Sequence, residues 1–416
     1  MLMCRKPLKP ATKKGTFFWN MSGSVCNAAN TVLMTLIITR TCGAGTAGVY
    51  SLALAIAQVV GSVAYFEVRN FQVSDTRHEF SFSEYHLFRL FTILAAAGFT
   101  VVWVLWKGYT GEKLRTIFLC CAFQLIEAYE DVLQGLLQIK NRLDLAGKSF
   151  TLRIVSDTLL FWLILAVGKN FFFALLIYTV YAGVWTVLVT FPWSARFEKP
   201  HLTSLENLPQ LAHACLPIFL TNFLMSYILS APKYALDEFY PSELQTYFNI
   251  LFMPAAVVNL FTFVLYRIYI TKMAKDWNDG RTSDFTRQIL LLLGWVALLG
   301  AVTLVIGWVV GIPFLSWFFG LPKLSGYRRE LMVILLGGIF AAAAGWLNVI
   351  LTIIRRQKIQ LAVNALAAGA CFFSVKPLVQ GFGLMGASLS YLISMAILFS
   401  LQVAMMFYFV RQGRDR

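Results

Sequence analysis

Charge is what this sequence has least of. Asp, Glu, Lys and Arg make up 13% of its 416 residues while hydrophobic residues make up 58%. A soluble protein of this length needs about twice that share of charge to cover its surface. Metal-ligand patterns are also missing: the seven cysteines (Cys4, Cys26, Cys42, Cys120, Cys121, Cys215, Cys371) form no C-x-x-C pair. The four histidines, His78, His86, His201 and His213, include no pair four apart, so no zinc site is expected. Polar stretches long enough for a soluble catalytic domain do not occur. What remains is a chain whose bulk belongs in hydrocarbon.

The charge that is present is lopsided, with 35 Lys and Arg against 20 Asp and Glu, a formal net charge of +15. A nucleic-acid binder would gather its basic residues on a soluble face or tail. Here they fall in short clusters between apolar runs, as topology signals do, and no nucleic-acid partner is expected. The first apolar run, 16–39, is longer than a signal-peptide core and is read as an uncleaved span.

Crossing a bilayer core of roughly 30 Å takes about 20 residues. Runs of that length fall near 16–39, 46–66, 86–106, 114–138, 149–168 and 170–191. A second set falls near 209–230, 247–270, 286–312, 331–354, 359–379 and 384–409. If the N-terminus is cytoplasmic, 25 of the 35 Lys and Arg lie on the inner side, in the tails and in 67–89, 140–153, 192–208, 267–287 and 355–358. Such a bias fits twelve spans with both termini inside. The expected fold is an all-α polytopic membrane protein with two six-helix bundles, 1–205 and 206–416, around a central cavity. Tyr50 and Arg69 in the first half, and Tyr247 and Arg267 in the second, occupy matching places. That pairing suggests parallel repeats, with a substrate site where they meet.

Two motifs imitate nucleotide chemistry. G-x-G-x-x-G occurs at Gly43/Gly45/Gly48 and at Gly381/Gly383/Gly386, but in hairpins between expected membrane helices, where glycines make turns and close packing. Ala146-Gly147-Lys148-Ser149 ends like a phosphate-binding loop, yet Arg142 stands where its first glycine is required.

Charges and amides inside the spans are more telling, because intramembrane charges are costly and face a partner or a cavity. Glu127, Glu130 and Asp131 share one face of the fourth span, and Arg153 and Asp157 one face of the fifth. Arg153 is expected to meet Glu130 or Asp131, either as a structural ion pair or as part of a substrate or ion site. Lys376, late in the eleventh span, either snorkels to the interface or joins Arg40 and Lys233 in a cationic outward cavity. Asn27 and Asn30 share a face of the first span and Asn222 lies in the seventh. Each suits an inter-helix clamp or a substrate contact. Pro217 and Pro254 are expected to bend the seventh and eighth spans.

Several segments carry a family resemblance. Trp19-Asn20-Met21-Ser22-Gly23-Ser24 through Arg40 and Gly43, and Phe66-Glu67-Val68-Arg69-Asn70-Phe71-Gln72-Val73-Ser74-Asp75, resemble bacterial polysaccharide flippases. So do Glu130-Asp131-Val132-Leu133-Gln134-Gly135 and the following Arg142–Ser149 stretch. Ala231-Pro232-Lys233-Tyr234-Ala235-Leu236-Asp237 and Leu251-Phe252-Met253-Pro254-Ala255 look like the Gram-positive branch, which includes teichoic-acid and capsule repeat-unit flippases. The resemblance is to Wzx-like members of the multidrug/oligosaccharidyl-lipid/polysaccharide (MOP) exporter superfamily and covers about 16–410. It implies a flippase that moves an undecaprenyl-diphosphate-linked oligosaccharide outward across the bacterial cytoplasmic membrane by alternating access. Glycosyltransferases or a polymerase of the same pathway would be its partners.

A lipid-linked sugar brings an anionic diphosphate that wants cations in place of water. Arg40, Lys233, Arg69 and Arg267 would supply them, with Lys376, Asn27, Asn30 and Asn222 as further contacts. Two negative charges leaving a negative interior gain about 4–5 kcal/mol per 100 mV. A coupling Na+ or H+, carried on Glu127 or Asp157, is therefore compatible but not required, and no other cofactor is expected. The rival within the superfamily is a multidrug and toxic-compound (MATE-type) antiporter, which would favour acidic, aromatic cavity walls. A membrane glycan polymerase or ligase, the enzymatic alternative, would need a large outer loop.

Overall fold

Long apolar runs leave the backbone nothing but itself to hydrogen-bond, so every one of them closes into helix. The computed structural model describes residues 12–75, 79–201, 203–354 and 357–414. Among the described residues there is no β-strand. The helices are α1 (Lys13–Tyr65), α2 (Val68–Ser74), α3 (Phe82–Lys107), α4 (Gly111–Ile139), α5 (Leu143–Gly168), α6 (Phe171–Trp185) and α7 (Phe191–Ser194). They continue as α8 (Leu208–Phe239), α9 (Ser242–Asn278), α10 (Thr282–Ile306), α11 (Ile312–Phe319), α12 (Arg328–Ile353) and α13 (Gln357–Arg414).

Two of these are hairpins drawn as one helix. α1 folds back at Gly43 (φ 87°) and α13 at Gly383 (φ 56°), in backbone regions where a Cβ would be strained. The third glycine of the first motif, Gly48, lies so close to Ser242 that a Cβ would overlap its carbonyl oxygen. Turn and close packing are thus what the two glycine motifs do. Among the described residues eight helical stretches are long and apolar enough to cross a membrane. Two of the eight are the hairpins, and α4 and α9 add two more passes of sufficient length. Twelve passes result, close to the expected boundaries.

Their outer faces fit hydrocarbon. Leu94, Val102, Leu105 and Trp106 on α3, and Val305, Val309 and Trp317 further on, are largely exposed. A water-facing surface would carry charge there.

The chain forms two compact units. One comprises Met1–Ile37 and Val63–Cys215, the other Ile38–Ser62 and Leu216–Arg416. The segment 38–62, expected to group with the first half, therefore groups with the second. Its close approach to α9 at Gly48 and Ser242 shows why. In the first unit, Val68, Phe82, Phe88, Val132, Leu136 and Leu211 form a packed core. In the second, α12 is central: Gly337 packs on Tyr391 and Gly338 on Ala255, small residues admitting neighbouring helices closely.

Prolines mark two further departures from α geometry. A π-helical turn at Thr186–Thr190 precedes Pro192, and another at Gly307–Gly311 precedes Pro313. A proline cannot donate to the carbonyl four residues back, and in the first turn Phe191 N–H donates five back, to Thr186. Pro217, Pro232 and Pro254, by contrast, sit inside helices that continue past them. The seventh span consequently runs to Phe239, and Lys233 lies within it rather than beyond its end, a correction to the sequence reading.

Candidate functional site

α4 organises the first unit because its polar residues recur at helical spacing. Glu127, Glu130, Asp131, Gln134 and Gln138 lie on one stripe, and the stripe turns inward rather than toward lipid. Three arginines from three other elements answer it.

Arg153 of α5 is fully buried and meets three carboxylates. Its Nη2 donates to Glu127 Oε1 at 2.6 Å, Nε lies 2.8 Å from Glu130 Oε2, and Nη1 lies 3.3 Å from Asp157 Oδ2. Phe123 and Phe150 flank the guanidinium, each centroid 5.6 Å away. Glu130 is fixed from its other oxygen by Thr190 Oγ1 at 2.9 Å. Thr190 in turn meets Ser149 Oγ at 2.8 Å, and Trp185 Nε1 donates to Ser149 at 3.0 Å. The π turn thus brings Thr190 to the carboxylate.

Of the two carboxylates expected as alternatives for Arg153, Glu130 is the one it meets. Asp131 instead receives Arg69 Nη1 at 3.1 Å on one oxygen and Arg89 Nη2 at 2.9 Å on the other. Arg69, on α2, also donates to Gln134 and Gln138, at 3.1 Å each.

Arg89 was counted in the sequence as a loop cation. The structure buries it completely in α3, where Nη1 donates to the carbonyls of Ala64 and Tyr65 at 2.6 Å each. Those carbonyls end the second arm of α1, and the next two residues, Phe66 (φ 41°) and Glu67 (φ 56°), are both left-handed. A guanidinium on the open carbonyls of this buried helix end holds a turn that costs about 1–3 kcal/mol per such residue. The overlooked signal was Arg89's position inside an apolar stretch, four residues after Tyr85.

Between these groups lies a cavity of about 370 Å³. Asn20, Ser24, Asn27, Tyr65, Arg69 and Gln134 line it, along with Glu127, Glu130, Asp131, Phe150 and Arg153. Gly147 forms its wall by direct contact with the backbone of Trp19 and Asn20, and Lys148 stands over the Trp19 ring. The loop-like Ala146–Ser149 stretch is therefore helix interior. An adjoining recess shares Tyr65, Arg69 and Asp131 and adds Glu67, Asn70 and Gln138.

The remaining candidates are placed elsewhere. Asn27 faces the cavity, whereas Asn30 clamps helices: its Nδ2 donates to Tyr178 and its Oδ1 accepts from Thr158 at 2.7 Å. Sharing a face did not give the two amides one role.

In the second unit, Arg40 donates to the carbonyls of Trp317 at 2.6 Å and Phe318 at 2.8 Å, capping the end of α11. Lys233 is buried against Asn249 Oδ1 at 3.1 Å. Lys376 pairs with Glu238 at 2.7 Å. Arg40, Lys233 and Lys376 thus each hold a different partner in the second unit. Asn222 is exposed on α8, and the side chain of Arg267 lies outside the described residues.

No protein-family model matches this chain. No curated protein matches it either. Solved structures do. An inward-facing multidrug-resistance MATE transporter of the MOP superfamily aligns with TM-score 0.71 and 12% identity, over 97% of this chain and 99% of that one. The lipid II flippase MurJ, in an inward closed conformation, aligns with TM-score 0.71 and 12% identity over 94% and 86%. A Vibrio cholerae MATE transporter, VcmN, gives 0.60 and 12% over 96% and 97%. The chain shares the all-helical fold of these membrane transporters.

Proposed function

We propose that this chain is a flippase that carries a polyprenyl-diphosphate-linked oligosaccharide from the inner to the outer leaflet of a bacterial cytoplasmic membrane. The observation that carries this reading is the lining of the first unit's cavity. Three amides and the hydroxyls of Ser24 and Tyr65 dominate it, with Phe150 an apolar aromatic face, and its carboxylates Glu127, Glu130 and Asp131 are each taken by an arginine rather than offered to a cationic drug. Such a wall exchanges hydrogen bonds with sugar hydroxyls at little loss against water, whereas a lipophilic drug would leave the same groups unpaired. Likeness of fold to MurJ, a lipid II flippase, is compatible with this reading.

Arg69 is the cation offered to the diphosphate. Its side chain is 28% exposed at the cavity, and its bonds are to Asp131 and two neutral amides. An incoming phosphate oxygen can replace the amide acceptors with a charged one, in the planar fork that only arginine provides. Asp131 retains Arg89 throughout, so its carboxylate is not left unpaired. The carboxylates around Arg153 serve as the coupling group in this proposal. Three of them on one guanidinium leave excess negative charge in a buried place, which a proton or Na+ would balance.

The test is reconstitution in vesicles with a fluorescently labelled polyprenyl-diphosphate oligosaccharide, scoring protection from an impermeant quencher. The parent chain should equilibrate the label across leaflets, Arg69→Lys should insert normally and slow that by at least tenfold, and Arg69→Ala should do the same. A parent chain that leaves the label in place yet drives ethidium against a proton or Na+ gradient would establish the MATE-type reading instead.

A further inference from the structure

Lys233 in the second unit has no ion-pair partner among the described residues. Lys233 is 8% exposed and its Nζ reaches a single neutral acceptor, Asn249 Oδ1. Among the described residues no carboxylate lies within ion-pair distance of it. An ammonium in such surroundings demands a compensating charge or full hydrogen bonding.

The neighbouring polar groups offer donors rather than a carboxylate. Asn249 Nδ2 is buried with no protein acceptor. One turn back on the same face of α9, Gln245 is fully buried with both amide atoms unpartnered. Ser51 supplies a third group. On α1, Gly48 touches Ser242, Ala44 O accepts from Thr246, and Ala55 O accepts from both Ser230 and Tyr234. Residues 44, 48, 51 and 55 form one stripe of a helix, so Ser51 is directed to the junction of α8 and α9 where Lys233 and Asn249 meet. It is 1% exposed and its hydroxyl has no partner.

We propose that a small inorganic anion of chloride size binds at this junction, taking the Lys233 ammonium as its counter-charge and hydrogen bonds from Gln245, Asn249 and Ser51. One cation, two amide N–H groups and a hydroxyl match the needs of a monovalent halide. All four residues are at least nine-tenths buried, which is too closed for a diphosphate. This binding is independent of any cargo in the first unit. It removes the cost of an isolated ammonium and ties α1, α8 and α9 together within the second unit.

The experiment uses the purified full-length protein in detergent, melted in sodium chloride or sodium gluconate at equal concentration. Chloride should raise the melting temperature by a few degrees and saturate, following the logarithmic law of ligand binding to the folded state. Bromide should act likewise, and phosphate should not. Lys233→Met should abolish the difference between chloride and gluconate, and Gln245→Leu should shift its half-saturation to at least several-fold more chloride. Should Lys233→Met fail to fold, a structure of the parent protein grown in bromide decides the matter by anomalous scattering. A bromide peak beside Lys233 and Asn249 supports the site. Equal melting in chloride and gluconate, a chloride response that survives in Lys233→Met, or a bromide structure without that peak overturns it.

Discussion

At the residue scale, charge counting separates two groups of buried ions. Arg153 faces Glu127, Glu130 and Asp157, whereas Asp131 faces Arg69 and Arg89. Removing the single cation from a surplus of anions should hurt most. Arg153→Met is expected to cost about 3–5 kcal/mol, read as a lower apparent melting temperature, because it strands buried carboxylates. Asp157→Asn should stay within about 1 kcal/mol of the parent, since it removes one excess negative charge and keeps an oxygen for Arg153. Equal losses in the two variants would mean that the cluster is not overloaded with negative charge. This much of the site was legible in advance: Glu127, Glu130 and Asp131 on one face of a span, and Arg153 opposite. What spacing could not resolve was which carboxylate takes which arginine, because that depends on the depth and rotation of packed helices. Arg89 was lost for a simpler reason: a cation near a span's end reads the same whether it anchors in water or caps a helix inside.

At the element scale, glycine does the work that loops do elsewhere. Gly48→Ala would drive a methyl into the Ser242 carbonyl, whereas Gly45→Ala meets nothing within 4 Å. The first should cost about 1–3 kcal/mol through overpacking, and the second should change nothing measurable. Thermal stability of the two purified variants tests the contrast, and a destabilised Gly45→Ala would undo it. The helices themselves were readable because uninterrupted apolar length has few alternatives in lipid. Their breaks were less so. Pro232 and Pro254 leave α8 and α9 helical, while Pro192 and Pro313 each follow a π turn. A proline's effect is set by whether neighbours can satisfy the carbonyl it abandons, and sequence does not display those neighbours.

At the scale of the whole molecule, the distribution of Lys and Arg is the remaining handle on orientation. With 25 of 35 on one side, both termini are expected in the cytoplasm. Reporter fusions after Lys14 and Arg411 should both report inside, and an external report from either would dismantle the twelve-span count. The division into units was the least legible feature. A split by sequence halves ignores the glycine contact that draws 38–62 to α9.

The hairpin at Gly43 also bears on how the protein can be handled. Helix runs into helix there with one residue between them, so there is no slack chain for a protease to thread or for an inserted epitope to occupy. An insertion after Gly43 would have to break helical hydrogen bonds on both arms and displace Arg40 from the end of α11. Gly383 imposes the same prohibition on α13. Surface tags for imaging or affinity capture are better carried elsewhere, and the turn at Lys107–Gly111, with glycines at 108 and 111 already in left-handed conformation, is the more forgiving place to put one.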